Sequence, residues 1–229
     1  MRIRTKGEKI KRGLALGLTR RQAETLSKLS TPEAIQDFVN HIPMNFEIGR
    51  GTALSVTETL TQRRAHCLEA AMVAACAFHM NGAPALLMDM GGAEGDVDHV
   101  IALFKRGRYW GAISKSNGAY LRYRDPIFKN LRELALSYFF EYVKGRRKTL
   151  RTYSVPVNMS KVDPKLWVTN PKFCYEVVEL LTVARHFNLL PRGQEKLLRP
   201  IDLIERAAIK LDDYADPRKK TKRRKQGRV

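Results

Sequence analysis

Cysteine is scarce in this sequence, and the few cysteines present are poorly placed for a framework role. There are three in 229 residues, Cys67, Cys76 and Cys174, and no two of them form a CxxC pair. An odd, widely spaced set fits neither a disulfide-stapled domain nor a structural zinc site. We therefore expect free thiols in a reducing compartment, which predicts a cytoplasmic protein.

Long apolar runs are also lacking. Charged residues recur through position 12, so the chain starts without the apolar stretch of roughly 7 to 15 residues that a secretory signal peptide needs. No later run approaches the ~20 apolar residues of a membrane span. The sequence thus predicts no membrane partner.

Motifs for cofactors and metals are missing as well. The sequence contains no glycine-rich phosphate loop and no zinc-ligand spacing. Glu94, Asp96 and Asp98 cluster in a predicted turn, but they lack the ligand spacing and the closing glutamate of a calcium loop. We interpret them as a solvated acidic turn, and we predict neither a cofactor nor a metal.

Acidic residues are few, 23 against 42 lysines and arginines, which leaves a formal net charge of +19. Residues 1–12 carry six basic groups and one acidic group, and residues 217–229 carry eight basic groups and no acid, so the other 204 residues hold only +6. Blocks of like charge repel themselves and are typically disordered. They predict either solubilising ends or contacts with nucleic acid, a ribosome or another polyanion.

The length fits one catalytic-sized domain with an appendage. We predict a basic N-terminal arm at 1–14, a domain at 15–145, a helical C-terminal extension at 146–216 and a disordered basic tail at 217–229. The tail is the only segment of biased composition in the sequence.

Capping and turn signals predict the elements. Thr19 and Thr31 each begin a helix signature, and a small, apolar segment from Cys67 to Met80 is typical of a helix buried on all sides. Asn81-Gly82 is its predicted stop. The other predicted elements are an irregular connection at 41–55, a helical turn at 57–61, a strand at 85–90, a turn at 91–96, a hairpin of strands at 99–104 and 109–114, a helix at 126–143, a mostly irregular stretch at 146–170, and helices at 171–186 and 199–214.

Cys67 lies where a thiol becomes reactive. Unpaired N–H groups and the helix dipole stabilise a thiolate at a helix start, whereas Cys76 and Cys174 are expected to be core thiols. A thiol enzyme also needs a base, usually histidine. His99, at the start of a strand, is the predicted base, and the side chain of His66 is expected to point away from its neighbour Cys67.

The order of these features resembles the transglutaminase-like superfamily. It runs from a cysteine at a helix start through an alanine-rich helix, Asn-Gly, an apolar strand, an Asp-His strand and a glycine-containing hairpin to a Trp-led strand, over residues 65–114. The resemblance implies an α+β fold, in which a central Cys-bearing helix packs on a small antiparallel sheet flanked by N- and C-terminal helices. It also implies a Cys, His and Asp triad for acyl transfer or amide hydrolysis, with Cys67 as nucleophile and His99 as base.

The sequence departs from the family at the third position of this triad, where Ser114 stands in place of aspartate. Serine would orient His99 without stabilising an imidazolium, and we expect its hydroxyl on the ring nitrogen that faces away from Cys67. Asn117 is an alternative orienting residue, as an amide is in papain-like enzymes. Asp89, on the preceding strand, is a further geometric alternative.

Two functions fit these observations. One is a thiol-dependent amide or peptide hydrolase or acyltransferase, in which the Cys67 backbone N–H contributes to an oxyanion hole and the substrate is an unknown protein or peptide-like amide. The other is a catalytically inactive scaffold that binds RNA, a ribosome or another polyanion through its basic tails.

Overall fold

The computed structural model of this chain describes residues 4–48 and 51–218. Its helices are α1 (Lys6–Ala15), α2 (Arg20–Ser27), α3 (Pro32–Asn40), α4 (Val56–Gln62), α5 (Cys67–Met80), α6 (Leu131–Leu136), α7 (Pro164–Trp167), α8 (Tyr175–Val183) and α9 (Leu203–Ala208). Its strands are β1 (Leu86–Gly92), β2 (His99–Arg106), β3 (Tyr109–Ile113), β4 (Arg124–Phe128), β5 (Val143–Lys144), β6 (Arg147–Lys148), β7 (Leu150–Ser154), β8 (Val157–Asn158) and β9 (His186–Asn188).

Three threonines start the helices of the N-terminal part. Thr5, Thr19 and Thr31 are the N-caps of α1, α2 and α3, and each side chain accepts a hydrogen bond from a backbone N–H of the first turn. These bonds satisfy donors that have no partner inside the helix. The helices predicted after Thr19 and Thr31 are confirmed. The disorder predicted for the basic N-terminal block is wrong where that block forms α1. This helix packs against α2 and α5.

Helix α5 is the centre of the fold. Every residue from 68 to 78 is buried, because small side chains let neighbouring elements approach on all sides. His66 is the N-cap and Asn81 the C-cap, and Gly82 follows with a φ of +84°. The predicted helix and its Asn-Gly stop are therefore confirmed.

The sheet that packs on α5 is antiparallel. Within the described residues its strand order is β4-β3-β2-β1-β7-β9, and β8 also pairs with β1. Leu87, Val100 and Ala102 share one apolar cluster with α5, while Met88 and Ile101 belong to a second cluster. The predicted α+β class is confirmed, as is the hairpin formed by β2 and β3.

The helix predicted at 126–143 is wrong. Residues 124–128 form the edge strand β4, where Pro126 is tolerated because an edge strand has an unpaired side. Asn130 then caps the short helix α6, which ends at Leu136. The apolar spacing that suggested one long helix instead places Tyr138 and Tyr142 against the second face of the sheet.

The stretch predicted as mostly irregular at 146–170 contains β7, which lies inside the sheet between β1 and β9. Gly91 and Gly92 were predicted to begin a turn. They are instead the last residues of β1, where they pair with β7. A Cβ atom on Gly91 would clash with Thr152 Oγ1, so a larger residue here would force the Thr152 side chain to shift. The sequence of β7, with Arg151, Thr152 and Tyr153 between its ends, lacks a clear apolar alternation.

The predicted C-terminal helices are shorter than expected. The helix predicted at 171–186 corresponds to α8 followed by β9, and the one at 199–214 corresponds to α9. The domain boundaries stay a prediction, and most of the predicted basic tail, residues 219–229, lies outside the described residues. None of the described helices is long and apolar enough to cross a membrane.

A pair of glycines in α1 tests the docking of this helix. A Cβ atom on Gly13 would lie 2.9 Å from Ala23 Cβ and 3.0 Å from Met80 Cε, whereas one on Gly7 would meet nothing within 4 Å. We expect Gly13→Ala to lower the free energy of unfolding by about 1–2 kcal/mol through overpacking. The control Gly7→Ala gains only helix propensity and should raise it by up to about 1 kcal/mol. Urea unfolding measures both, and equal stabilisation would contradict the packing of α1 described above.

Candidate active site

A pocket of about 510 Å³ opens beside the N-terminus of α5. We call it the thiol pocket, because the partly exposed Cys67 lies in its wall together with His99. Its other walls come from the connection between α3 and α4, the turn before β2, the segment after β3, residues 141–143, Val178 and Ile209. The pocket therefore gives solvent and ligands a route to the thiol.

His99 is oriented by Ser114. Its Nε2 atom lies 2.8 Å from Ser114 Oγ, and the same hydroxyl lies 2.6 Å from the carbonyl oxygen of Leu121, which accepts its only hydrogen. Ser114 Oγ must therefore accept a hydrogen bond from His99, so Nε2 carries a proton. The neutral ring then has its lone pair on Nδ1, the nitrogen left for Cys67.

Helix α3 holds Ser114 in place. The buried side chain of Gln36 accepts a hydrogen bond from the Ser114 backbone N–H at 3.0 Å and donates one to its carbonyl oxygen at 2.8 Å. The next residue, Lys115, donates from Nζ to the carbonyl oxygens of Val39 and Ile42 at the end of the same helix. Burial and the neighbouring Arg122 lower the pKa of Lys115 to about 8.

The alternative orienting residues have other partners. The side chain of Asn117 donates to the carbonyl oxygen of Tyr214 and accepts from its N–H, so both polar atoms of the amide bind the C-terminal segment instead of His99. Asp89 lies 3.3 Å from His186 Nε2. Burial and repulsion from Asp98 raise the pKa of Asp89 to about 6, despite its contact with that histidine. Ser114 is the candidate that contacts His99.

His66 is a site residue that the sequence analysis missed. It was expected to point away from Cys67, but it is the N-cap of α5 and has an extended backbone, with φ of −96° and ψ of −169°. Its Nδ1 atom consequently lies 3.8 Å from Cys67 Sγ. The rule that adjacent side chains diverge applies inside a helix, and a histidine directly before a helix-start cysteine was the available signal.

The two histidines set the electrostatics of the thiol. Burial disfavours a thiolate at Cys67, but contacts with His99 and His66 outweigh it and hold the pKa of the thiol well below its usual range. Burial raises the pKa of Cys76 to about 12, and burial with nearby carboxylates does the same for Cys174. Of the three cysteines, only Cys67 is prepared for nucleophilic chemistry.

The start of α5 supplies the remaining features of a thiol site. The N–H groups of a first helical turn have no partner inside the helix, so the Cys67 N–H is placed to stabilise a developing oxyanion. Among the described residues, no three His, Cys, Asp or Glu side chains converge to hold a metal ion. The catalytic roles of Cys67, His99 and Ser114 stay a prediction.

Comparison with known proteins adds one structural likeness. No protein-family model and no curated protein sequence matches this chain. Among solved structures, the chain is similar to Legionella pneumophila LapG, described as EGTA-treated, at 15% sequence identity. The alignment covers 50% of this chain and 72% of that one, with a TM-score of 0.34. A score this low supports no inference about function, so the site must be interpreted from its own geometry.

Selective alkylation tests the state of Cys67. We expect iodoacetamide near pH 7 to label Cys67 at least about tenfold faster than Cys76 or Cys174, because Cys67 is accessible and its thiolate is stabilised. Peptide mass spectrometry measures the three rates, and urea-unfolded protein, in which the rates should converge, is the control. Equal labelling in the folded protein, or protection of Cys67 alone, would contradict a thiolate site.

Removing the Ser114 hydroxyl tests the orientation of His99. We expect Ser114→Ala to slow acylation of Cys67 by an aryl ester by about tenfold or more, because the ring loses the acceptor that selects its tautomer. Ser116→Ala is the matched control, since that hydroxyl donates to the Tyr120 carbonyl oxygen instead. Stopped-flow rates across a pH series measure both variants. An unchanged acylation rate in Ser114→Ala would show that the Ser114 hydroxyl does not orient His99 for the reaction.

Proposed function

We propose that this protein is a thiol-dependent amide or peptide hydrolase or acyltransferase, with Cys67 as nucleophile and His99 as base. The observation that carries the proposal is the alignment of three groups at the open end of α5. The thiol pocket exposes Cys67, His99 lowers its pKa, and Ser114 holds the far nitrogen of the imidazole at 2.8 Å. A nucleophile, a base and an orienting group are the parts that covalent acyl transfer requires.

The first half of the reaction forms a thioester. The proton of the Cys67 thiol moves to His99 Nδ1, and the sulfur attacks the carbonyl carbon of the amide. The carbonyl electron pair moves to oxygen, where the Cys67 N–H stabilises the negative charge. When the tetrahedral intermediate collapses, the C–N bond breaks, and His99 gives its proton to the leaving amine.

The second half releases the acyl group. Water or an amine attacks the thioester carbonyl while His99 Nδ1 takes a proton from the attacking group. The C–S bond then breaks, and the sulfur leaves as a thiolate or takes the proton back. Water yields a carboxylic acid, and an amine yields a new amide, so hydrolysis and acyl transfer share every step up to the acceptor.

The walls of the thiol pocket favour a peptide-like substrate. Met44, Leu68 and Val100 line the pocket beside the nucleophile, together with polar residues that include Asp96 and Glu141. Sites for chain substrates combine such apolar surface with a few polar groups that fix orientation. We therefore propose a protein or peptide amide as the acyl donor.

Polyanion binding stands beside this activity as a second candidate. The observation that favours it is a separate cleft of about 560 Å³ in which basic side chains outnumber acidic ones. Clustered lysine and arginine side chains bind phosphate backbones through counterion release. The basic residues of the cleft are Arg147, Lys148, Arg151, Lys196 and Arg199.

Trapping the acyl-enzyme tests the proposed function without knowledge of the natural substrate. We expect p-nitrophenyl acetate to give a burst of p-nitrophenolate, with acetyl on Cys67 detected by peptide mass spectrometry. Cys67→Ala should abolish the burst, His99→Ala should slow it by about a hundredfold or more, and the core variant Cys76→Ala should retain it. A burst that survives Cys67→Ala, or a folded wild-type protein with no adduct, would refute the proposal.

A further inference from the structure

His66 is a second histidine beside Cys67, and its ring has several polar neighbours. Its side chain is only 12% exposed. The Nε2 atom lies 3.1 Å from the carbonyl oxygen of Thr52, 3.4 Å from Glu69 Oε1 and 3.7 Å from Glu47 Oε1. All three neighbours are acceptors, so Nε2 carries a hydrogen in both the neutral and the charged ring.

The proton that His66 gains or loses is therefore the one on Nδ1. This nitrogen lies 3.3 Å from the backbone nitrogen of Leu68 and 3.8 Å from Cys67 Sγ. Without a proton, Nδ1 accepts the Leu68 N–H and caps the helix. With a proton, it can only donate, and the group it meets is the sulfur. Protonation thus converts a helix cap into a thiolate partner.

Two carboxylates favour the charged form of His66. Glu69 is fully buried on the first turn of α5, and Glu47 approaches from the connection between α3 and α4. Burial of the ring opposes its charge, but the contacts with Cys67, Glu69 and Glu47 outweigh burial and raise the pKa of His66 to about 9. These contacts favour a cationic ring at neutral pH, and its Nδ1 atom faces the sulfur at 3.8 Å.

The other side of the thiol lacks such support. The orienting partner of His99 is the neutral hydroxyl of Ser114, which fixes the ring but does not stabilise an imidazolium. The imidazolium that forms when His99 takes the Cys67 proton therefore gains no charge stabilisation from its orienting partner. A second positive charge beside the thiol would therefore add to the effect that His99 already has on its pKa.

We propose that His66, held between Glu69 and Glu47, stays protonated and supplies a second positive charge that stabilises the Cys67 thiolate, while His99 exchanges the catalytic proton. The carboxylate missing beside His99 is thereby replaced by carboxylates beside a second histidine. This inference rests on the proposed function, because it takes Cys67 as the nucleophile and gives each of the two histidines a separate role beside it.

The experiment measures the pKa of the Cys67 thiol from the pH dependence of its alkylation by iodoacetamide. His66→Asn is the main variant, because asparagine is a good N-cap, accepts the same backbone N–H and is uncharged at every pH. We expect it to raise the thiol pKa by about one to three pH units. His79→Asn is the matched control, since it removes a histidine from the far end of the same helix, where the ring contacts Ser160, and it should leave the pKa unchanged.

Glu47→Gln provides a second, milder test. Its oxygen can still accept the Thr52 N–H, as Glu47 does at 2.7 Å, while the charge beside His66 is lost. We expect a smaller rise in the thiol pKa than in His66→Asn. Thermal melts followed by circular dichroism establish that each variant is folded. If His66→Asn does not fold, Glu47→Gln decides the question.

An unchanged thiol pKa in the folded His66→Asn variant, or in Glu47→Gln when that variant decides, would overturn the role of His66. The outcome is separable from the proposed function, because alkylation reports the thiolate and acetylation reports acyl transfer. A low thiol pKa that depends on His66, together with no acetyl-Cys67 in the wild-type protein, would retain this inference and reject the activity.

Discussion

The buried carboxylate of Glu69 is the interaction on which the site depends. It is inaccessible to solvent and accepts hydrogen bonds from Asn45 Nδ2, Thr52 Oγ1 and the backbone N–H groups of Leu54 and His66. A buried carboxylate is tolerated only with such compensation, and removing its partners would cost about 3 kcal/mol or more. Because the donors come from the loop at 45–54 and from the helix N-cap, one side chain joins the loop to the start of α5. That junction sets the position of Cys67.

The sheet and helix α3 position the other two site residues, His99 and Ser114. His99 opens β2 and Ser114 follows β3, so the hairpin places them beside each other across 15 residues of chain. Gln36 then ties both backbone groups of Ser114 to α3, 78 residues away. The hydroxyl has little freedom to turn, because its hydrogen is directed to Leu121. The result is an oriented imidazole without an acidic partner.

The charge distribution of the site differs from that of a triad with a carboxylate at the third position. In such a triad, one histidine both takes the proton and receives the stabilising charge. Here the orienting group of His99 is neutral, and the carboxylates Glu69 and Glu47 lie near His66. An enzyme with this arrangement would form its thiolate through two histidines with different electrostatic surroundings. The basic cleft and the thiol pocket share no lining residue.

The sequence by itself determined the features that depend on neighbours a few residues apart. Threonine caps, the small apolar segment of α5 and its Asn-Gly stop are local signals, and so they predicted the N-terminal helices, the central helix and a thiol at its start. The hairpin that carries His99 was equally local. Ser114 was identified as the third residue only through a family pattern, and Asn117 stayed an equal alternative until the structure placed its amide on Tyr214.

Only the tertiary structure decided the elements and contacts that depend on distant partners. β4 and β7 carry no clear period of their own and are strands because β3, β1 and β9 offer them pairing groups. The approach of His66 to Cys67 required the extended backbone of an N-cap, and the carboxylates near its ring, Glu47 and Glu69, come from two elements. The hydrogen bonds that join residues 15 to 78 positions apart arise from strand register and packing. A short stretch of sequence carries no information about either, so these bonds could not be predicted from it.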